Sequence, residues 1–143
     1  MKVKLRWVRH LPVLMVMADR LTLQGTSALN LIHITFVKRA AWNDEPLIRH
    51  ELRHAEQAIS RFYFGFLIRW MFSQRFRLWA EVDAYRVQLS MVPSGGVRDA
   101  VKDRLAASLS EHYHSNGIYW IFPIRVTKER ASALFSMSIG SPV

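Results

Sequence analysis

Asn43-Asp44-Glu45-Pro46-Leu47-Ile48-Arg49-His50-Glu51-Leu52-Arg53-His54 is the stretch from which the rest of this chain is read. Its first four residues form a helix-start signal: Asp44 or Asn43 caps the first turn, and Pro46 sits where a missing N–H costs little. A helix is therefore expected from about Glu45 towards Tyr63, with Gly65 as its end or a kink. Within that helix His50 and His54 are four residues apart, so their imidazoles lie one turn above each other and can meet one metal ion. Glu51, the next residue round, would lie beside the ion rather than on it, placed to take a proton from water activated there.

Composition limits what that ion and its setting can be. The chain has 143 residues, half of them hydrophobic, with no internal repeat and no linker composition, so one domain spanning residues 1–143 is expected. Cysteine is absent, which excludes a disulfide scaffold, a thiolate metal site and a cysteine nucleophile. A transition metal must then be held by imidazole and carboxylate, a donor set that suits Zn2+. Lys and Arg number 20 against 11 Asp and Glu, a net charge of +9, which points to acidic partners: anionic membrane, an acidic protein surface or nucleic acid.

Around the helix, short β-like runs are expected at Val13 to Met17 and Leu21 to Gln24, with Gly25-Thr26-Ser27 ending the second. Leu29 to Lys38 alternates through its length and reads as the best strand. Further helices are expected over Phe76 to Met91, closed by Pro93-Ser94-Gly95-Gly96, and over Val97 to His114, stopped by Asn116-Gly117. Ile118 to Val126 is apolar, and the Ser-rich tail frays. These elements predict an α+β fold: a small antiparallel sheet packed on the H-E-x-x-H helix, and a mostly helical C-terminal half. At the N-terminus, basic Met1 to His10 followed by apolar Leu11 to Ala18 loosely resembles a leader, but Pro12 interrupts the run and Asp19-Arg20 follow at once. Export is not expected. The chain reads as cytoplasmic, with membrane-surface association as an addition, and Arg69 divides the apolar stretch Phe62 to Phe72 too early for a spanning helix.

A catalytic zinc takes three protein ligands and leaves a fourth position for water. Trp79-Ala80-Glu81-Val82-Asp83-Ala84-Tyr85-Arg86 places two carboxylates on a second helix, diverging by about 200 degrees, so only one of Glu81 and Asp83 is readily a ligand from there. In this pairing of motifs the chain resembles the gluzincin group of zinc metallopeptidases. In that group H-E-x-x-H is followed, on a later helix, by a ligating glutamate. Smaller members write the second motif as Glu-x-Glu/Asp-Ala-x, matched here by Glu81-Val82-Asp83-Ala84-Tyr85. His54-Ala55-Glu56-Gln57 is similar to the H-x-x-Q continuation of small bacterial and phage-borne members. The likeness covers about Leu29 to Gln88 and implies a zincin-like minimal domain, with Zn2+ on His50, His54 and Glu81, and Glu51 as general base in peptide hydrolysis. The chain departs from larger members in having no second domain and in carrying Tyr85, not an acid, four residues after the glutamate. Asp83 is then the candidate for orienting the ligands.

For the oxyanion, Tyr85, Arg86, His112, Tyr113 and His114 are candidate donors, each with an ordinary reading as packing or solvated charge. The expected partner is a peptide or protein substrate, which strand Leu29 to Lys38 could pair along its edge. Arg61, Arg69, Arg75 and Arg77 interleave with aromatics from Phe62 to Trp79. The common reading of that density is a helical hairpin with buried rings; the others are a membrane interface or single-stranded nucleic acid. No sequence-reading nucleic-acid motif is present. The alternative to the peptidase is thus a non-catalytic basic protein, of degenerate peptidase fold, on an anionic membrane surface or nucleic acid.

Overall fold

The structure, a computed structural model, describes residues 2–18, 28–31, 33–111 and 124–137. Their order is β1 (Val3–Val8), β2 (Leu11–Met17), β3 (Ala28–Leu31), β4 (Ile34–Val37), α1 (Glu45–Ser60), α2 (Phe64–Phe72), α3 (Gln74–Ser90), α4 (Gly96–Glu111) and α5 (Lys128–Ser136). The α+β class is as expected, but the sheet is mixed rather than antiparallel. Its order is β1-β2-β4-β3, with β2 and β4 running parallel and the two outer pairs antiparallel.

β1 was not expected. Lys4 and Arg6 alternate with Val3, Leu5 and Trp7, and this alternation is a strand period. Arg9-His10 makes a two-residue turn, both residues at positive φ, so Val8 pairs with Leu11 and the register is fixed. Pro12 is tolerated because the ladder with β4 begins beyond it, at Leu14. The expected single strand Leu29 to Lys38 is instead the hairpin β3–β4, folded back at His33. Leu21 to Gln24 and Ile118 to Pro123 lie outside the described residues.

One face of the sheet, with Val8, Val13, Met15 and Val37, packs on Ile48, Leu52 and Ala55 of α1. These three recur at helical spacing, and their stripe faces the sheet. The opposite sheet face keeps Leu5, Trp7, Leu14 and Ile34 exposed. A second core joins Leu78, Val82 and Leu89 of α3 to Leu105 and Leu109 of α4 and to Leu134 and Phe135 of α5. The two cores share no residue.

α1 opens as the sequence dictates, with the Asp44 side chain accepting from the Leu47 N–H. Such a cap contributes about 1 kcal/mol. It ends at Ser60, earlier than Tyr63, because Phe62 takes a left-handed φ of 51°. Gly65 accordingly falls inside α2 rather than ending α1. Ser73 caps α3, accepting from Phe76 N–H, and starts that helix two residues before the expected Phe76.

Candidate metal centre

α1 and α3 meet along a seam of small residues: Ala58 on α1, and Ala80 and Ala84 one turn apart on α3, all buried. Side chains this short let the helix axes approach. The two polar groups that straddle the alanine ridge of α3, Glu81 on one side and Asp83 on the other, therefore both reach α1.

Glu81 reaches the two histidines. His50 Nε2 lies 3.2 Å from His54 Nε2; Glu81 Oε2 lies 3.7 Å from His50 Nε2, and Glu81 Oε1 lies 3.6 Å from His54 Nε2. A tetrahedral ion with bonds of 2.0–2.1 Å separates its ligand atoms by about 3.4 Å. All three spacings fall near that edge length. Two imidazole nitrogens and a carboxylate, whose ligand atoms all lie within 4.8 Å of one another in a buried seam, are of the type zinc takes. Among the described residues this is the one such group of three.

Asp83 reaches the other side of α1 and does not face the ligands. Its carboxylate accepts from Arg53 Nε at 2.7 Å and from Gln57 Nε2 at 2.9 Å. The Gln57 amide also donates to the Ala80 carbonyl at 3.0 Å. With both amide hydrogens committed to acceptors, Gln57 Oε1 is left facing His54 Nδ1 at 3.1 Å and accepts its proton. His54 is thereby held with Nε2 turned towards His50 and Glu81. Arg53 pairs with Asp83 and with Glu56. Glu56 also takes Arg9, tying the β1–β2 turn to the same network.

Without a metal, charge is distributed unevenly among these groups. Burial, helped by the charge on His54, pushes the His50 imidazole down to about 3. Burial pulls His54 down too, but the Glu81 carboxylate outweighs it and holds that imidazole up at about 9. Glu51, buried in the same seam, is pushed up to about 7, first by burial and then by Glu81, against the pull of His54. A carboxyl poised near neutrality suits proton acceptance at physiological pH.

Tyr85, one turn beyond Glu81, lays its ring on His50 with centroids 4.4 Å apart, and its hydroxyl engages Ser108 of α4. Burial raises that hydroxyl well above its ordinary range, with Glu81 and Glu51 adding to the shift. Arg86 points away, donating twice to the Leu134 carbonyl. His112, Tyr113 and His114 lie outside the described residues. Ser108 carried no sequence signal, and Gln57 carried one only through the H-x-x-Q pattern. His50 Nδ1 finds no partner among the described residues. Compared with known proteins, the chain matches no family model, no curated protein and no solved structure.

Proposed function

We propose that this chain is a small zinc-dependent metallopeptidase of gluzincin type, with His50, His54 and Glu81 as ligands and Glu51 as general base. The observation that carries the reading is the cluster of His50 Nε2, His54 Nε2 and the Glu81 carboxylate, drawn from two helices, with the imidazole nitrogens 3.2 Å apart and one carboxylate oxygen near each, at 3.7 and 3.6 Å. The chemistry zinc supplies in such a set is Lewis acidity, which acidifies water and polarises a carbonyl. The protein's own residues would do the rest. Glu51 takes the proton as water adds to the peptide carbonyl and passes it to the leaving amine. Gln57 fixes His54, and Tyr85 packs the ring of His50, so both are positioning residues. Among the described residues β3 packs against α1 and ends the sheet, so an extended peptide paired along that edge would run beside the site helix.

Elemental analysis of the purified protein tests the reading, with wild type beside Glu81→Ala and Glu51→Gln. About one zinc per chain is expected in wild type and in Glu51→Gln, and little in Glu81→Ala. Glu51→Gln should then lose peptide hydrolysis while keeping its metal. No zinc in wild type after incubation at neutral pH would reduce the three residues to a buried His54–Glu81 ion pair with a neutral neighbour.

A further inference from the structure

Helix α2 is anchored by its inner face and leaves its apolar side to solvent. Phe66 is buried and meets the Phe76 ring edge-on at 5.4 Å. Arg77 caps the helix end, donating to the carbonyls of Trp70 and Met71 at 2.6 and 2.9 Å. On the other side Phe64, Leu67, Ile68, Met71 and Phe72 are all exposed. Their spacing of i, i+3, i+4, i+7 and i+8 is the pattern by which a helix ordinarily buries its apolar stripe in a core. Here the stripe faces outward, with Phe64 76% and Phe72 79% accessible.

Phe62 extends this surface and costs the fold something to keep. It is 88% exposed and holds a φ of 51°, a left-handed conformation for which glycine or asparagine is the ordinary choice. Its ring is almost wholly exposed at the start of α2 and adds to the apolar surface there.

Charge identifies the partner. From Gln57 to Ala80 the chain has no Asp or Glu, while Arg69 and Arg75 are exposed at the flank and end of the apolar face; Arg61 instead lies over the Trp79 and Phe76 rings, 4.4 and 5.5 Å from their centroids. We propose that the outer face of α2 docks this protein on an anionic phospholipid bilayer, with Phe62, Phe64 and Phe72 in the acyl boundary and Arg69 and Arg75 among the headgroups. A nine-residue helix is about 14 Å long, far short of the ~30 Å hydrocarbon core, so it lies in the interface plane. No helix among the described residues is long and apolar enough to cross. A nucleic-acid strand fits less well, because the rings are separated on a convex face by Leu67, Ile68 and Met71, which stack no base.

The test is co-sedimentation of the full chain, without added metal, with phosphatidylcholine vesicles and with vesicles containing about 30% phosphatidylserine. Both residues of Phe64→Ser/Phe72→Ser are exposed, so that variant should keep the wild-type circular dichroism. Wild type is expected to bind the anionic vesicles, and partitioning should fall roughly tenfold or more in that variant and in Arg69→Gln/Arg75→Gln. Equal binding to both vesicle types, no binding, or anionic binding unchanged by the phenylalanine pair would overturn the proposal. So would a wild-type dimer dissolved by that pair, or Phe64-dependent retention on single-stranded DNA with none on vesicles. Because no metal enters the measurement, it stands or fails separately from the peptidase reading.

Discussion

Removing the Asp83 carboxylate should weaken zinc binding at a site Asp83 does not touch. In Asp83→Ala, Arg53 loses its 2.7 Å partner and Gln57 loses one of two acceptors. Breaking a fully buried charge pair costs about 3–5 kcal/mol. The Arg53 side chain, however, is 25% exposed and keeps Glu56 at 2.6 Å, so hydration and that second carboxylate recover part of the loss. About 2 kcal/mol of destabilisation remains, a fall in Tm of roughly 4–8 °C for a chain of this size. The zinc effect comes through geometry: with Asp83 gone, Gln57 is held only by the Ala80 carbonyl, and its grip on His54 Nδ1 loosens. Losing such an orienting partner typically costs 10–100-fold in metal affinity; about tenfold is expected here, since one anchor survives. Thermal melts of the metal-free protein give the first quantity, and competition against a chromophoric chelator gives the second. Asp83→Asn, which keeps the volume and one acceptor oxygen, should fall between wild type and Asp83→Ala in both. A lowered Tm with unchanged zinc affinity would refute the chain of hydrogen bonds as a positioning device and leave Asp83 a purely structural residue.

Zinc affinity should rise about tenfold per pH unit between about pH 7 and 9 and then flatten, because His54 is held up at about 9 and must release one proton to the ion. The same shift stabilises the metal-free fold: the contribution is fully present below His54's ordinary 6.5 and is lost as pH rises through 9, so the apo Tm should decline across that window. A pH-independent affinity in a chelator titration would contradict this. His10→Gly should raise Tm by about 1–3 °C, since His10 is exposed at φ 67° in the Arg9-His10 turn and glycine relieves that strain by about 0.5–1 kcal/mol net; a lower Tm would mean the imidazole makes a contact that outweighs it. Arg86→Met should lose about 1–3 kcal/mol, as both bonds to the Leu134 carbonyl vanish while the stem stays buried. Hydrogen exchange should show α5 deprotected first, and uniform protection would argue against Arg86 as its tether.

What could be read from sequence followed local signals. Asp44 and Pro46 announced α1 because capping is a four-residue affair, while helical angles said only that one of Glu81 and Asp83 could be a ligand, and Glu81 was chosen through the family resemblance. The parallel pairing of β2 with β4 was not legible, since it joins residues some twenty apart through no shared motif. Nor was the fold-back at His33, where the turn carries neither Gly nor Pro, so alternation ran on unbroken through Leu29 to Lys38. β1 was written in the sequence and misread, because its Lys and Arg fit two patterns at once. The partners of Arg53 stayed hidden for a different reason. Its pairing with Asp83 depends on how closely Ala80 and Ala84 let two helices approach, a property of packing rather than of spacing.

The separateness of the two cores has a mechanical consequence. α1 contributes to the core built on the sheet and α3 to the helical core, and the three donors lie on the seam between these helices. An ion held there would act as a bolt. The loaded protein would yield as one cooperative unit, whereas the empty one could part at the seam before either core melts. The lifetime of such a chain in the presence of proteases would then follow the supply of that ion.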